Sequence, residues 1–353
     1  GPRAASPGKA SPRKSAGSRA PPVPVWKVAV GACLFALGSL CYALLGILSQ
    51  LSKSADGSYA YSLPTVVLLA EAVKLGLSWV FLSAEVGSPV VAVRTVFTGG
   101  ISRWLAFAVP SLLYSLNNNL DMLNNQHMDP ATEQVLVQGK ILTTGIVWWL
   151  VFQEPLGTRK WLSLVLLFCG AVLAGLPKAQ TAEKTMHIDS VGVLLVMLYV
   201  WVSASAGVYN EWLYKYIGKA DSIHVCNIRL YAIGVLANGV AHFCFGPADA
   251  SIWTLTQGYN VYSWSLVATY ALMGLLLAQV MKFFDNIVKL FISGCSMYVS
   301  AVLSWAIFGY KPTLEFLAAL VIVSAAMLLY NAEKLSAFRR WTGATGKGGR
   351  KNA

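Results

Sequence analysis

Ionisable and amide side chains recur inside runs that are otherwise apolar. Lys140 lies within "VLVQGKILTTGIVWWLVF", residues 135–152. A lysine at the centre of a membrane span disfavours insertion by about 2.5–3.5 kcal/mol, so it needs something to meet. Glu71 and Lys74 sit three apart in "LLAEAVKLGLSWVF" and share a helix face. They read either as a self-neutralising pair buried against a bundle or as the charged wall of a polar cavity, and the two readings are compatible. Lys282, Asp285 and Lys289 also share a face, at spacings of three and four. The first two read as an exposed pair at a helix mouth, whereas Lys289 has no close acidic partner in sequence. Asn117, Asn118 and Asn119 are adjacent and point in three directions. An amide carries donors and acceptors that suit a nucleobase edge, and interhelical hydrogen bonding is the plainer alternative. Glu133, Gln134 and Lys140 follow, with Glu133 and Lys140 two turns apart on one face. The small residues 203–207, ending in Gly207, suit close helix packing or space for a flat ligand. Asn227, Arg229 and Tyr231 in "HVCNIRLYAIG" could bond and stack a base or fill a core.

Two or three cations lining one cavity call for an anion. A nucleotide phosphate or diphosphate would complement them through charge-assisted bonds, and Asn, Ser and Tyr would read base and sugar. Lys140 then meets a phosphate; a structural counter-ion role is the alternative. The four histidines are scattered, the six cysteines show no C-x-x-C spacing and read as buried thiols, and no nucleophile–base pair is apparent. This excludes a recognisable intramembrane enzyme and implies no metal and no cofactor.

These residues need helices to position them. The chain has 353 residues, 56% hydrophobic and 12% charged, about half the charge of an ordinary soluble domain. Continuous apolar runs of roughly 20 residues match the length that spans a bilayer as helix. The reading is an all-α polytopic membrane protein with ten spans: 28–50, 62–84, 104–125, 131–152, 160–177, 189–214, 222–245, 263–283, 287–308 and 312–332. Residues 1–27 form a basic tail rich in Ala, Pro, Ser and Gly and expected to be disordered. Residues 28–332 form the membrane domain, and 333–353 a second basic tail. No cleavable signal peptide is read before the first span. The tails carry much of the +12 formal charge, which points to cytosolic placement of both termini rather than to nucleic acid. An even number of spans follows. "WLSLVLLFCGAVLAG" (161–175) aligns with "FLAALVIVSAAMLLY" (316–330) at an offset of 155. Five spans per half would make the halves inverted repeats, an architecture that places a transport site between them.

The blocks "NNNLDMLNNQHMDPATEQVLVQGKI", "ASAGVYNEWLYK", "VCNIRLYAIG" and "KFFDNIVKLF", in this order, resemble the nucleotide-sugar transporters of the Golgi. The likeness covers 28–332 and is greatest for the branch of CMP-sialic acid, UDP-galactose and UDP-N-acetylglucosamine transporters, in particular plant-type CMP-sialic acid transporter-like members. It implies a drug/metabolite-transporter fold with two inverted five-helix repeats, both ends cytosolic, exchanging a nucleotide sugar for a nucleoside monophosphate by alternating access. It implies phosphate contacts at Lys140 and Lys289, a charged pair at Glu71 and Lys74, and nucleotide-reaching positions at Asn117 and Asn118; Gln134 is a further candidate for substrate binding. Gly207 and Tyr209 match its "AGVY" block, and Asn227, Tyr231 and Gly234 its seventh span. Glu133, the "VQGKI" pattern, Cys226, Arg229 and Ile233 depart from the usual residues and leave the base and sugar open. The expected partners are a nucleotide sugar, a nucleoside monophosphate and the lipid bilayer, with a homodimer or a glycosyltransferase partner compatible. A transporter of another phosphorylated metabolite, or a scaffold for a glycosyltransferase, stays open. The expected location is the Golgi membrane; Arg350 and Lys351 near the terminus are similar to an ER-retrieval signal and keep the ER as the alternative.

Overall fold

In a bilayer every main-chain N–H and C=O must be satisfied within the protein, so long apolar runs fold as helices. The computed structural model describes residues 25–54, 59–128, 130–181, 190–245, 251–309 and 313–332. Most of both expected tails, including Arg350 and Lys351, lies outside the described residues, as do the side chains of Asn118, Asn119 and Gln134. Within them run α1 (Val25–Leu51), α2 (Leu63–Val86), α3 (Pro89–Phe97), α4 (Gly100–His127), α5 (Pro130–Leu136), α6 (Lys140–Phe152), α7 (Thr158–Thr181), α8 (Ser190–Trp212), α9 (Ile223–Phe245), α10 (Val261–Phe283), α11 (Asn286–Phe308) and α12 (Leu314–Tyr330). Seven helices are long and apolar enough to cross a membrane, or eight when α3 and α4 count as one bent span. Large apolar residues such as Leu194, 71% exposed, and Leu236, 68% exposed, face outward. The chain is a multi-pass membrane protein.

The structure departs from the expected spans in two places. The run 131–152 is not one continuous helix, because a 3₁₀ turn at Val137–Gly139 separates α5 from α6. Gly139 is a weak helix former. Thr143 Oγ1 also donates to the carbonyls of Gly139 and, across the interface, Val200, at 3.3 and 3.2 Å, a back-bond that bends helices. Lys140 is therefore the first residue of a new helix. The second departure precedes the third span, where α3 and α4 meet at 84°. Gly99 and Gly100 have φ of 92° and 71°, a left-handed conformation that only glycine adopts readily.

The two largest apolar centres among the described residues both include residues of α8 or of its continuation. One gathers Ile141 and Trp148 of α6, Leu164 and Leu167 of α7, Phe291 of α11 and Val323 of α12, with Val208 of α8. The other gathers Phe107 of α4, Tyr231 of α9 and Met281 of α10 around Leu213 and Tyr214, in a short π-helix that continues α8. The principal helix pairs are α2 with α9, α7 with α12, α4 with α8, α1 with α10, α1 with α11, α6 with α8, α4 with α9 and α2 with α10.

Polar networks tie each end of the bundle. At the end holding the C-termini of α2 and α10, Arg103 Nη1 donates to both carboxylate oxygens of Asp221 at 2.9 Å. Lys282 Nζ donates to the Asp221 carbonyl at 2.6 Å. Lys282 thus does not serve the mouth pair with Asp285 that its spacing suggests; Asp285 instead caps α11 through Val288 N at 2.8 Å. At the opposite end, Ser52 pairs with Tyr61 and Thr65 with Tyr259, at 2.7 and 2.8 Å, and Asn260 Nδ2 donates to Ser52 O at 3.2 Å.

Candidate substrate-binding site

Lys140 opens α6, and Lys289 lies one turn into α11. The two half-buried ammonium groups are close enough to repel one another. They come from helices in opposite halves of the chain, so the fold holds together two like charges that the sequence keeps far apart. Such an arrangement favours an anion between them.

The Glu71–Lys74 pair forms a second polar centre. Lys74 Nζ donates to Glu71 Oε1 at 2.5 Å, and Lys74 is only 8% exposed. Its ammonium sits 4.4 Å from the centre of the Tyr231 ring, an attraction that strengthens when water is excluded. Tyr231 OH donates to the Gly274 carbonyl at 3.2 Å. Two glycines give this centre its space: a Cβ on Gly234 would lie 3.0 Å from Glu71 Oε2, and one on Gly274 would lie 2.4 Å from Lys74 Cδ. The pair is therefore internally neutral, and it lies against Tyr231, Gly234 and Gly274.

Tyr114 of α4 extends that region. It is hydrogen-bonded to Asn210 of α8 and lies within electrostatic reach of Glu71. Tyr42 of α1 neighbours Tyr114 and Tyr270. Asn117, one turn beyond Tyr114, is half-buried with its Oδ1 unpartnered, as is Asn210 Oδ1. These amide oxygens are acceptors awaiting donors. Tyr42, Tyr114, Asn210 and Gly274 were not singled out in the sequence. Tyr114 and Asn117 sit three apart on α4, a spacing that could have flagged the tyrosine.

Other expected residues occupy structural places. Asn227 is 2% exposed and accepts from Tyr214 OH at 2.6 Å. Gly207 receives the Asn286 side chain, with Nδ2 only 2.6 Å from where a Cβ would stand, so its smallness serves packing of α8 on α11. Tyr209 packs beside Trp212, rings 5.5 Å apart, on the edge of the second apolar centre. Asn118 and Gln134 belong to α4 and α5 by backbone alone.

The departure at Arg229 has a structural explanation. Arg229 is fully buried; its guanidinium donates twice to Val96 O, at 3.0 and 2.9 Å, to Thr98 O at 2.8 Å and to Asp221 Oδ2 at 2.6 Å. It satisfies the carbonyls left open where α3 ends. Cys226, also fully buried, packs against Gly218. Ile233 lines an outward apolar groove with Leu112 and Leu236. Of the other cysteines, Cys41 is buried, Cys295 half-buried, and Cys33 and Cys169 exposed, against the expectation that all are buried. Among the described residues no cluster of three His, Cys, Asp or Glu side chains could hold a metal.

Comparison with known proteins gives a coherent result. The model of a family described as nucleotide-sugar transporter matches residues 32–331. The chain is 33% identical over 293 residues to a CMP-sialic acid transporter 1 of Oryza sativa subsp. japonica, covering 81% of this chain and 89% of the relative. It is 31% identical over 286 residues to a probable UDP-sugar transporter protein SLC35A4 of Xenopus tropicalis, covering 79% and 85%. A solved crystal structure superposes with a TM-score of 0.62 at 12% identity, over 84% of this chain and 94% of the other, a likeness of fold.

Proposed function

The chain belongs to the nucleotide-sugar transporter family, and from that premise we propose that it exchanges a cytosolic pyrimidine nucleotide sugar, CMP- or UDP-linked, for a luminal nucleoside monophosphate across the Golgi membrane. It is a transporter, not an enzyme. The observation that supports the exchange is the nearness of Lys140, at the start of α6, to Lys289, one turn into α11. The nucleotide sugar and the monophosphate share a nucleoside and at least one phosphate, so one cationic site beside a nucleoside pocket serves both directions. In this reading Glu71, Lys74, Tyr231 and Gly234 form a second wall of the site, with Asn117 and Asn118 contributed by α4 and Gln134 by α5. Gly207, Tyr209 and Asn227 shape the helices behind.

The proposed architecture is ten spans in two inverted repeats, with the α5–α6 segment and α12 as the short spans and both termini cytosolic. Helix pairing supports it. Matching α1, α2, α4, α6 and α7 with α8, α9, α10, α11 and α12 makes α2–α9 and α7–α12 self-related pairs. The same matching turns α4–α8 into α10–α1 and α6–α8 into α11–α1, all of them principal pairs. Such a relation suits rocking of one repeat on the other around a fixed site. Arg94 and Arg103 then lie on the cytosolic side, and the Tyr61–Tyr259 cluster on the luminal side.

The test is thermal stabilisation of purified protein by CMP, UMP, GMP and AMP, each beside its nucleoside. The expected result is stabilisation by CMP or UMP and little by cytidine or uridine. A flat response from folded protein contradicts the proposal.

A further inference from the structure

Glu211 is a buried carboxylate to which the sequence reading gave no role. It is 0% exposed, near the end of α8. Its Oε2 accepts from the main-chain N–H of Asn286, the first residue of α11, at 2.8 Å. Its Oε1 accepts from Lys215 Nζ at 2.6 Å and from Trp148 Nε1 of α6 at 3.4 Å. One turn earlier on α8, Gly207 takes the Asn286 side chain against its bare Cα. A single turn of α8 therefore grips the start of α11 twice and reaches α6 as well.

The two gripped helices are those that carry Lys289 and Lys140. Asn286 lies one turn before Lys289, and Trp148 two turns beyond Lys140. The two lysines repel, so nothing in the pair itself keeps it together. The N-terminal N–H groups of α11 are ready-made anion donors. Here, however, Glu211 occupies that of Asn286 and Asp285 that of Val288. Two of the helix-start donors are thus already occupied, and the separation of the two lysines depends on how α6 and α11 are anchored.

We propose that Glu211 is the positioning residue of the anion site: it fixes α11 and α6 to α8 and so sets the spacing of Lys289 and Lys140. This rests on the phosphate reading of the two lysines. The carboxylate holds the frame through hydrogen bonds and does not touch the ligand. Its loss weakens recognition of the phosphate and spares recognition of the nucleoside.

The experiment measures inhibition of exchange in proteoliposomes by CMP or UMP and by the matching nucleoside. Six proteins are compared: wild type, Glu211→Ala, Glu211→Gln, Trp148→Phe, Lys140→Ala and Lys289→Ala. Glu211→Ala is expected to weaken the monophosphate at least tenfold and the nucleoside less than twofold. Glu211→Gln, which keeps an oxygen for the Asn286 N–H, is expected to stay within threefold of wild type for both. Trp148→Phe keeps the ring and removes only the α6 tie, and is expected to lose two- to threefold for the monophosphate alone. It carries the test should Glu211→Ala fail to fold, and an unchanged monophosphate affinity in it then overturns the proposal. Equal losses for both ligands in Glu211→Ala, no loss for either, or a Gln variant as poor as Ala also overturns it. If the lysine variants themselves fail to separate monophosphate from nucleoside, the phosphate reading falls, and the positioning role with it. Selective loss in the lysine variants without it in Glu211→Ala removes the positioning role alone.

Discussion

Lys74 is the clearest case of a side chain held in place by its neighbours. Its ammonium is held by Glu71 at 2.5 Å and the Tyr231 ring at 4.4 Å, with Gly274 against its stem. A methyl group at 274 would fall 2.4 Å from Lys74 Cδ, and the buried lysine has little room to retreat. Gly274→Ala is therefore expected to destabilise the protein by about 1–3 kcal/mol, the usual penalty of overpacking, and to lower exchange. Both are read by thermal unfolding and by counterflow of the same preparation. Wild-type stability in that variant would mean Lys74 moves freely. Glu71→Gln should be worse for stability than Lys74→Met, since the first leaves a buried ammonium without its counter-charge while the second leaves a carboxylate that is 18% exposed.

At the scale of elements, the corner between α3 and α4 depends on one guanidinium. Arg229 donates to Val96 O, Thr98 O and Asp221 at once. Arg229→Ala is expected to cost about 3 kcal/mol, because it leaves buried carbonyls and part of a carboxylate unpaired. Lysine should not rescue it, as a point charge cannot reproduce the planar fork. Urea or thermal unfolding in detergent gives the answer. The affinity for nucleotide should change little, since the corner lies at one end of the bundle and not beside Lys140. Equal losses of affinity and stability would place Arg229 in the site. Much of this element level was legible in the sequence: apolar runs marked the helices, and the spacing of Glu71 and Lys74 marked their shared face. The break before Lys140 was not, because an apolar run with one glycine reads the same whether straight or interrupted. Beside it Thr143 bonds both Gly139 and Val200 of another helix, and that second partner lies 57 residues away in sequence. The same limit hid Gly274 and Glu211, whose meaning comes from what packs against them. Arg229 stood out as costly, but the carbonyls that justify it lie more than 130 residues away in sequence.

For the whole molecule, alternating access requires that the ends open in turn. The Ser52, Tyr61, Thr65, Tyr259 and Asn260 cluster joins the start of α10 to the α1–α2 junction. A disulfide formed between Ser52→Cys and Asn260→Cys in a cysteine-depleted background is expected to stop exchange and to leave nucleotide-induced stabilisation in place, with activity restored by reductant. Undiminished exchange under oxidation, with the crosslink shown to have formed, would mean this end does not move. The charge of the two tails predicts that tags at both termini are accessible from the cytosolic face of sealed membrane vesicles; protection of one tag alone contradicts an even number of spans, and protection of both contradicts the cytosolic placement.

The central claim is exchange on a shared phosphate site, and counterflow tests it most directly. Proteoliposomes are preloaded with CMP, UMP or buffer, and uptake of labelled CMP-sugar and UDP-sugar is followed in wild type and in Lys140→Ala. The account predicts uptake that depends on preloaded CMP or UMP and falls at least tenfold in the lysine variant. Uptake that ignores the preload, or that survives loss of Lys140, would contradict it.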